Sequence, residues 1–361
     1  MEFTVQTMKP THSNTNIPRQ KWHHLPAHTC AEAVQAGDRR ALAFAITLVE
    51  SHHPDHRKKA LDMLAAIDRT CWQTDKALKL AISGMPGAGK STLIAALGME
   101  WIRQGHHVAV CAVDPSSTVA GGSILGDKTR MQSLSAHKRA FVRPSPSKLM
   151  LGGVSARMRE VITLMMAAGF DRIILETVGV GQSEVDCAAM VDLLCVLQLA
   201  KTGDDLQSIK KGLTEHADVI CLHKADNPHA SEIKVALQMW KQAFASSSPT
   251  ITSISTTKKQ VDVIEVSSHT EHNLAALGEL LTRRFHHHIK SGELIRRRKQ
   301  QEYRWFADEC YTLLCEKISS SKTFQDLSGK KSFQAASNNH LPPLYAAKVC
   351  EDMFKNMGLN P

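Results

Sequence analysis

The stretch Gly84-Met85-Pro86-Gly87-Ala88-Gly89-Lys90-Ser91-Thr92 matches the phosphate-loop pattern G-x-x-x-x-G-K-[ST] at every fixed position. Such a loop works only between a strand and a helix, so it restricts the chain around it to sheet-and-crossover architecture. Upstream, Leu78, Leu80 and Ile82 alternate with Lys79, Ala81 and Ser83, the period of a short strand. Downstream, Leu93, Ile94, Leu97 and Trp101 recur at helical spacing, with a stop expected at Gly105. The glycines let the backbone curl until successive N–H groups converge on phosphate oxygens, and the helix N-terminus adds its dipole. In this setting Lys90 reaches the β- and γ-phosphates and the Ser91 hydroxyl holds Mg²⁺. A glycine-rich turn carrying a merely exposed lysine is the plainer reading, and the flanking strand and helix argue against it.

The rest of the chain alternates strands and helices, which implies an α/β fold with a mainly parallel central sheet. His107–Asp114 reads as a buried strand closed by Asp114, a carboxylate where open α/β sheets bind ligands. The polar run from Gly121 to Arg130 holds Asp127 and Arg130 as its chemically interesting members. Phe141–Arg143 is a further short strand, and Gly152-Gly153 opens a helix. Asp171–Glu176 is an apolar strand ending in an acid, a Walker-B arrangement whose Glu176 meets Mg²⁺ directly or through water. Gly179 three residues on suits a switch that senses a γ-phosphate, and Gln182 follows as a candidate for orienting attacking water. Leu193–Leu199 and Asp218–Leu222 are strands. The latter runs into His223-Lys224-Ala225-Asp226, which resembles the guanine-reading Asn-Lys-x-Asp of GTPases with His in place of Asn. There Asp226 would accept from guanine N1–H and the 2-amino group, and the Lys224 stem would cover the base. A last strand, Val261–Val266, leads to Ser267-Ser268-His269 in the position of a second base-contacting loop.

Four regions are expected: a disordered stretch at 1–28, a helical arm at 29–76, the nucleotide domain at 77–290, and a helical extension at 291–361 with a linker near 319–343. The arm reads as a helix from about Ala31 through Val49, then a second from Pro54, packed on the nucleotide domain. His286, His287 and His288 read as surface histidines, and Glu293–Lys317 as a long helix whose apolar stripe needs a partner, in the domain or in a second copy. The net charge of +9 invites a nucleic-acid reading, but the run Arg296–Lys299 is better taken as a solvated helix face. No run of eighteen apolar residues points to a membrane span, and nine scattered cysteines without a CxxC pair fit reduced thiols in the cytoplasm.

Taken together, these motifs resemble the methylmalonyl-CoA mutase-associated GTPases, the MeaB/ArgK group, from about Glu32 to Lys317. The residues carrying the resemblance include Gly37 to Leu42, Gly84 to Thr92, Ala112 to Ser117, Gly121 to Met131, Glu176 to Glu184, and Gly203 to Gln207. The resemblance implies a P-loop GTPase that forms a homodimer through C-terminal helices. It also implies docking on an adenosylcobalamin-dependent methylmalonyl-CoA mutase, or a related acyl-CoA mutase, to gate cofactor loading and prevent inactivation. Mg²⁺ and hydrolysis would be served by Lys90, Ser91, Asp114, Asp127 and Glu176. Three departures stand out. His223 replaces the family's Asn, Ser268-His269 replaces Ala-Leu in the last base loop, and Ala200-Lys201-Thr202 replaces a Pro/Gly-containing run. No D-x-H-x-x-G module is present, so this chain is not expected to bind cobalamin itself. Two other readings compete. A metal-insertion GTPase would want Cys/His ligands near the switch, where only Cys187 is close. A P-loop kinase would want an acceptor site, for which no motif is evident.

Overall fold

The computed structural model describes residues 22–51, 53–71, 75–114, 131–146, 155–177, 186–199, 216–226, 230–246 and 261–320. Among the described residues seven strands form one parallel sheet: β1 (Leu78–Gly84), β2 (Val108–Asp114), β3 (Ala140–Pro146), β4 (Arg172–Glu176), β5 (Leu193–Leu199), β6 (Val219–His223) and β7 (Asp262–Val266). Their order is β3-β2-β4-β1-β5-β6-β7, so the strand feeding the phosphate loop lies at the centre, between β4 and β5. A parallel sheet must be covered on both faces, which is why β4 and β6 are buried along their whole length.

Alternate residues of each strand face two separate cores. Ala81, Ile173, Leu175, Leu194, Val196 and Ile220 join one core with α1 (Ala27–Gln35), α2 (Arg39–Glu50) and α3 (Pro54–Ala66). Leu80, Ile82, Ile174, Cys195, Leu197 and Cys221 join the other with α4 (Lys90–Arg103) and residues of α5 (Gln132–Ala136). Further helices among the described residues are α6 (Ser155–Ala167) and α7 (Ala230–Ser246), which pack with the first core, α8 (Leu274–Lys290), which packs with the second, and α9 (Glu293–Ser320).

The arm departs from expectation in two places. The helix read from Ala31 to Val49 is two helices, because Gly37 has φ +79° and the Asp38 carboxylate caps the second by accepting from the N–H groups of Arg40 (2.8 Å) and Ala41 (3.1 Å). The polar start at 1–28 also ends earlier than expected. Trp22 is only 1% exposed and stacks near Phe44, and the Lys59 ammonium donates to the carbonyls of Trp22, His23 and Leu25. Arg57 pairs with Glu160 of α6, which ties the arm to the domain.

The basic run at the start of α9 is not a uniformly solvated face. Arg298 binds Asp192 (2.6 Å) and the Ala77 carbonyl, while Arg297 binds Asp218 (3.1 Å) and Glu293. Burial alone would raise the Asp192 carboxyl, but Lys79 and Arg298 outweigh it and hold it below its ordinary value. Of the three adjacent histidines, His288 is buried rather than on the surface, because it falls on the same side of α8 as Leu281 and Phe285. Residues 302–361 form a second compact unit, described as far as Ser320, in which Tyr303, Phe306, Tyr311 and Leu314 are exposed. Beyond Ser320 the expected linker and the rest of the helical extension lie outside the described residues.

Candidate functional site

β1 ends at Gly84, and the chain turns through Met85–Gly89 before α4 begins at Lys90. Two glycines here are required by their neighbours. A Cβ on Gly84 (φ +146°) would stand 2.6 Å from the Leu197 carbonyl oxygen of β5. A Cβ on Gly89 (φ +92°) would stand 2.6 Å from Cε1 and 2.7 Å from Nδ1 of His223. The resulting loop sits at the α4 N-terminus, where free N–H groups and the helix dipole favour an anion. Lys90 is largely buried, and its ammonium donates to the carbonyls of Gly84 (2.7 Å) and Met85 (3.2 Å).

Glu176 closes β4 beside β1, in register with Ile82. From there its carboxylate accepts a 2.8 Å hydrogen bond from the Ser91 hydroxyl. The Thr177 N–H donates to the Ile82 carbonyl (3.1 Å), so the chain leaving β4 is still fixed to β1. A hydroxyl and a carboxylate in contact at the head of an anion-binding helix are hard oxygen donors, the kind Mg²⁺ takes alongside phosphate and water. Among the described residues there is no group of three or more His, Cys, Asp or Glu placed to hold a metal ion.

The base-side residues converge on the same loop. A cavity of about 440 Å³ is lined by Gly89, Thr92, His223, Lys224, Asp226, Ser268 and His269, a volume within the range of small-molecule sites. His223, at the end of β6, is 3% exposed. Its Nδ1 lies 2.7 Å from the Ala88 carbonyl and its Nε2 lies 2.7 Å from the Ser268 hydroxyl. Burial pushes the imidazole below its ordinary pKa, against the pull of Ala88 and Asp226. Lys224 takes a left-handed backbone (φ 61°) and its ammonium donates to the Gly87 carbonyl (3.1 Å). The Asp226 carboxyl is held below the usual carboxylate range by its own backbone N–H and then by the Ser267 side chain. Ser267 is buried and outside the cavity lining. Its hydroxyl oxygen accepts from the N–H groups of His269 and Thr270, which fixes the turn of the loop.

The structure therefore gathers Gly84 to Thr92, Glu176, His223, Lys224, Asp226, Ser268 and His269 into one region. Asp114 closes β2, separated from β1 by β4. Asp127 and Gln182 lie outside the described residues. Sequence reasoning missed the contact between His223 and Ser268, 45 residues apart, although each had stood out as a departure in its own base-reading motif.

The model of a protein family described as methylmalonyl Co-A mutase-associated GTPase MeaB matches residues 42–323. A Mycobacterium tuberculosis protein named as a probable GTPase is 42% identical over 321 residues, covering 89% of this chain and 93% of its own. GTPase ArgK of Escherichia coli is 52% identical over 219 residues, covering 60% of this chain and 65% of its own. The mouse methylmalonic aciduria type A homolog, mitochondrial, is 38% identical over 276 residues, covering 74% and 65%. Among solved structures, that titled LAO/AO transport system kinase superposes with a TM-score of 0.67 at 31% identity, covering 93% of this chain and 99% of its own.

Proposed function

This chain belongs to the methylmalonyl-CoA mutase-associated GTPase family and hydrolyses GTP, and from that premise we propose that it is a Mg²⁺-dependent nucleotide switch acting on an adenosylcobalamin-dependent acyl-CoA mutase. The observation that supports it best is the Ser91–Glu176 hydrogen bond at the head of α4, in a chain whose family is named for its association with that mutase. The phosphate-loop N–H groups and Lys90 bind and orient the triphosphate. Ser91 and Glu176, with Asp114 and Asp127 from their strand end and loop, would hold Mg²⁺, which when bound neutralises charge building on the β- and γ-phosphates. Gln182 orients the attacking water, and Asp226 accepts hydrogen bonds from the base. Gating of cofactor loading and protection of the mutase follow from coupling this cycle to docking, and the exposed apolar residues of α9 suit a second copy of the chain.

The test uses the full chain loaded with GDP or with a non-hydrolysable GTP analogue, mixed with purified methylmalonyl-CoA mutase. The expected result is a complex on size-exclusion chromatography that depends on which nucleotide is bound, and faster GTP hydrolysis in its presence. No complex in either state, with hydrolysis unchanged by the mutase, would remove the mutase from the proposal. Stoichiometric Ni²⁺ or Zn²⁺ binding in equilibrium dialysis would instead favour a metal-insertion role.

A further inference from the structure

His223 and Ser268, each unusual for its motif, are in contact, and the protons of that contact can be assigned. A carbonyl oxygen only accepts, so the ring nitrogen 2.7 Å from the Ala88 carbonyl, Nδ1, carries a proton. A buried imidazole is favoured neutral, which leaves Nε2 with a lone pair. The Ser268 hydroxyl, 2.7 Å from Nε2, is then the donor. Both ring nitrogens are committed, and so is the only proton of the serine. An Asn amide at position 223 would have two N–H bonds, one for the loop carbonyl and one to spare for an acceptor on the base. A neutral histidine has one. The hydroxyl at 268 provides the donor that the second ring nitrogen needs, which an alanine could not.

We propose that His223 and Ser268 form a closed relay, Ser268 to His223 to Ala88, that joins the base loop to the phosphate loop and leaves the purine's N7 edge unread. Base choice then falls on Asp226, the specificity-determining side chain of the same cavity. This rests on the guanine-nucleotide reading above. His223 is a positioning residue: its ring edge also fills the space that Gly89 leaves open, so it holds the phosphate loop in place without offering the base a proton.

The test is calorimetric titration of the full chain with GDP, 7-deaza-GDP and ADP, in the parent and in S268A, S268T, H223N and H223N/S268A. The parent is expected to bind GDP and 7-deaza-GDP within about twofold of each other, and both far more tightly than ADP. S268A leaves a buried ring nitrogen without its donor and weakens GDP and 7-deaza-GDP alike by about tenfold. S268T keeps the hydroxyl and matches the parent. H223N/S268A recovers GDP binding relative to S268A and gains a preference of about fivefold or more for GDP over 7-deaza-GDP, because an amide N–H is again available. A parent that already prefers GDP to 7-deaza-GDP by about fivefold overturns the relay while leaving the guanine reading intact. So does an S268A protein that binds GDP like the parent. Equal binding of ADP and GDP by the parent overturns both. The parent's 7-deaza comparison needs no variant, so a misfolded S268A would not shield the proposal.

Discussion

Replacing Gly89 by alanine should damage nucleotide binding far more than replacing Gly87, although both glycines have positive φ. At Gly87 (φ +82°) an added Cβ meets nothing within 4 Å, so G87A carries only the left-handed backbone cost of an L-residue, about 1–2 kcal/mol. At Gly89 (φ +92°) the same cost applies, but the Cβ also lands 2.6–2.7 Å from the His223 ring. The ring must move by roughly an ångström to restore ordinary contact, which breaks its 2.7 Å hydrogen bond to the Ala88 carbonyl. Losing that bond inside a buried site adds about 1–3 kcal/mol. The difference between the variants is thus about one to two powers of ten in affinity if the loop must keep its shape to bind. Fluorescence titration with a labelled GDP measures it directly, with thermal unfolding as the check on folding. In a G89A/H223A background the excess over G87A should shrink, because the steric conflict is gone and the two changes cannot be additive. Equal affinities for G87A and G89A, or an undiminished excess in the double variant, would show that His223 does not press on the loop.

E176Q preserves shape and removes charge. It should bind GDP nearly as the parent does and hydrolyse GTP about a hundredfold more slowly in a single-turnover phosphate-release assay, and an unchanged rate would exclude the carboxylate from the reaction. D226A should remove the preference for GDP over ADP, at about 2 kcal/mol for a lost charged hydrogen bond, or roughly thirtyfold, read by competition titration. A preference that survives would mean another group reads the base. Acidification should destabilise the fold before most carboxylates titrate. Burial lowers the pKa of both His223 and His288, so below about pH 6.5 the unfolded chain takes up protons that the folded chain refuses. Stability should therefore be level above that pH and fall as pH drops toward the depressed folded values. H288Q should flatten part of the decline in melting temperature between pH 7 and 5.5, and an identical slope would refute the assignment.

What was legible in the chain was whatever a local period encodes. β5 coincides with its expected limits because every residue of Leu193–Leu197 is apolar, and β1, α4 and β4 were set by alternation, helical spacing and a terminal acid. The break at Gly37-Asp38 was present as a left-handed glycine followed by a capping acid, but the apolar stripe across it masked the signal. Trp22 was invisible within a polar lead-in because its burial depends on Phe44, a partner twenty-two positions on. The inward turn of Arg297 and Arg298 depends on carboxylates at Asp218 and Asp192, which only the sheet order brings near. The candidate site's phosphate loop, terminal acid and base motifs each stood out in the chain, yet the His223–Ser268 contact needed β6 beside β7, and strand adjacency is not written in either motif.

The crowding at Gly84 comes from the carbonyl of a neighbouring strand, not from anything a nucleotide brings. The demand on that position is architectural. A descendant that gave up nucleotides altogether would still be obliged to keep it, while position 87, with open space around it, could drift to any residue tolerant of its backbone angles. Inheritance at the two places thus carries unequal weight. A glycine retained at 84 testifies only that the strands still pack, whereas decay at Lys90 or Ser91 would be the first trace of a lost occupation.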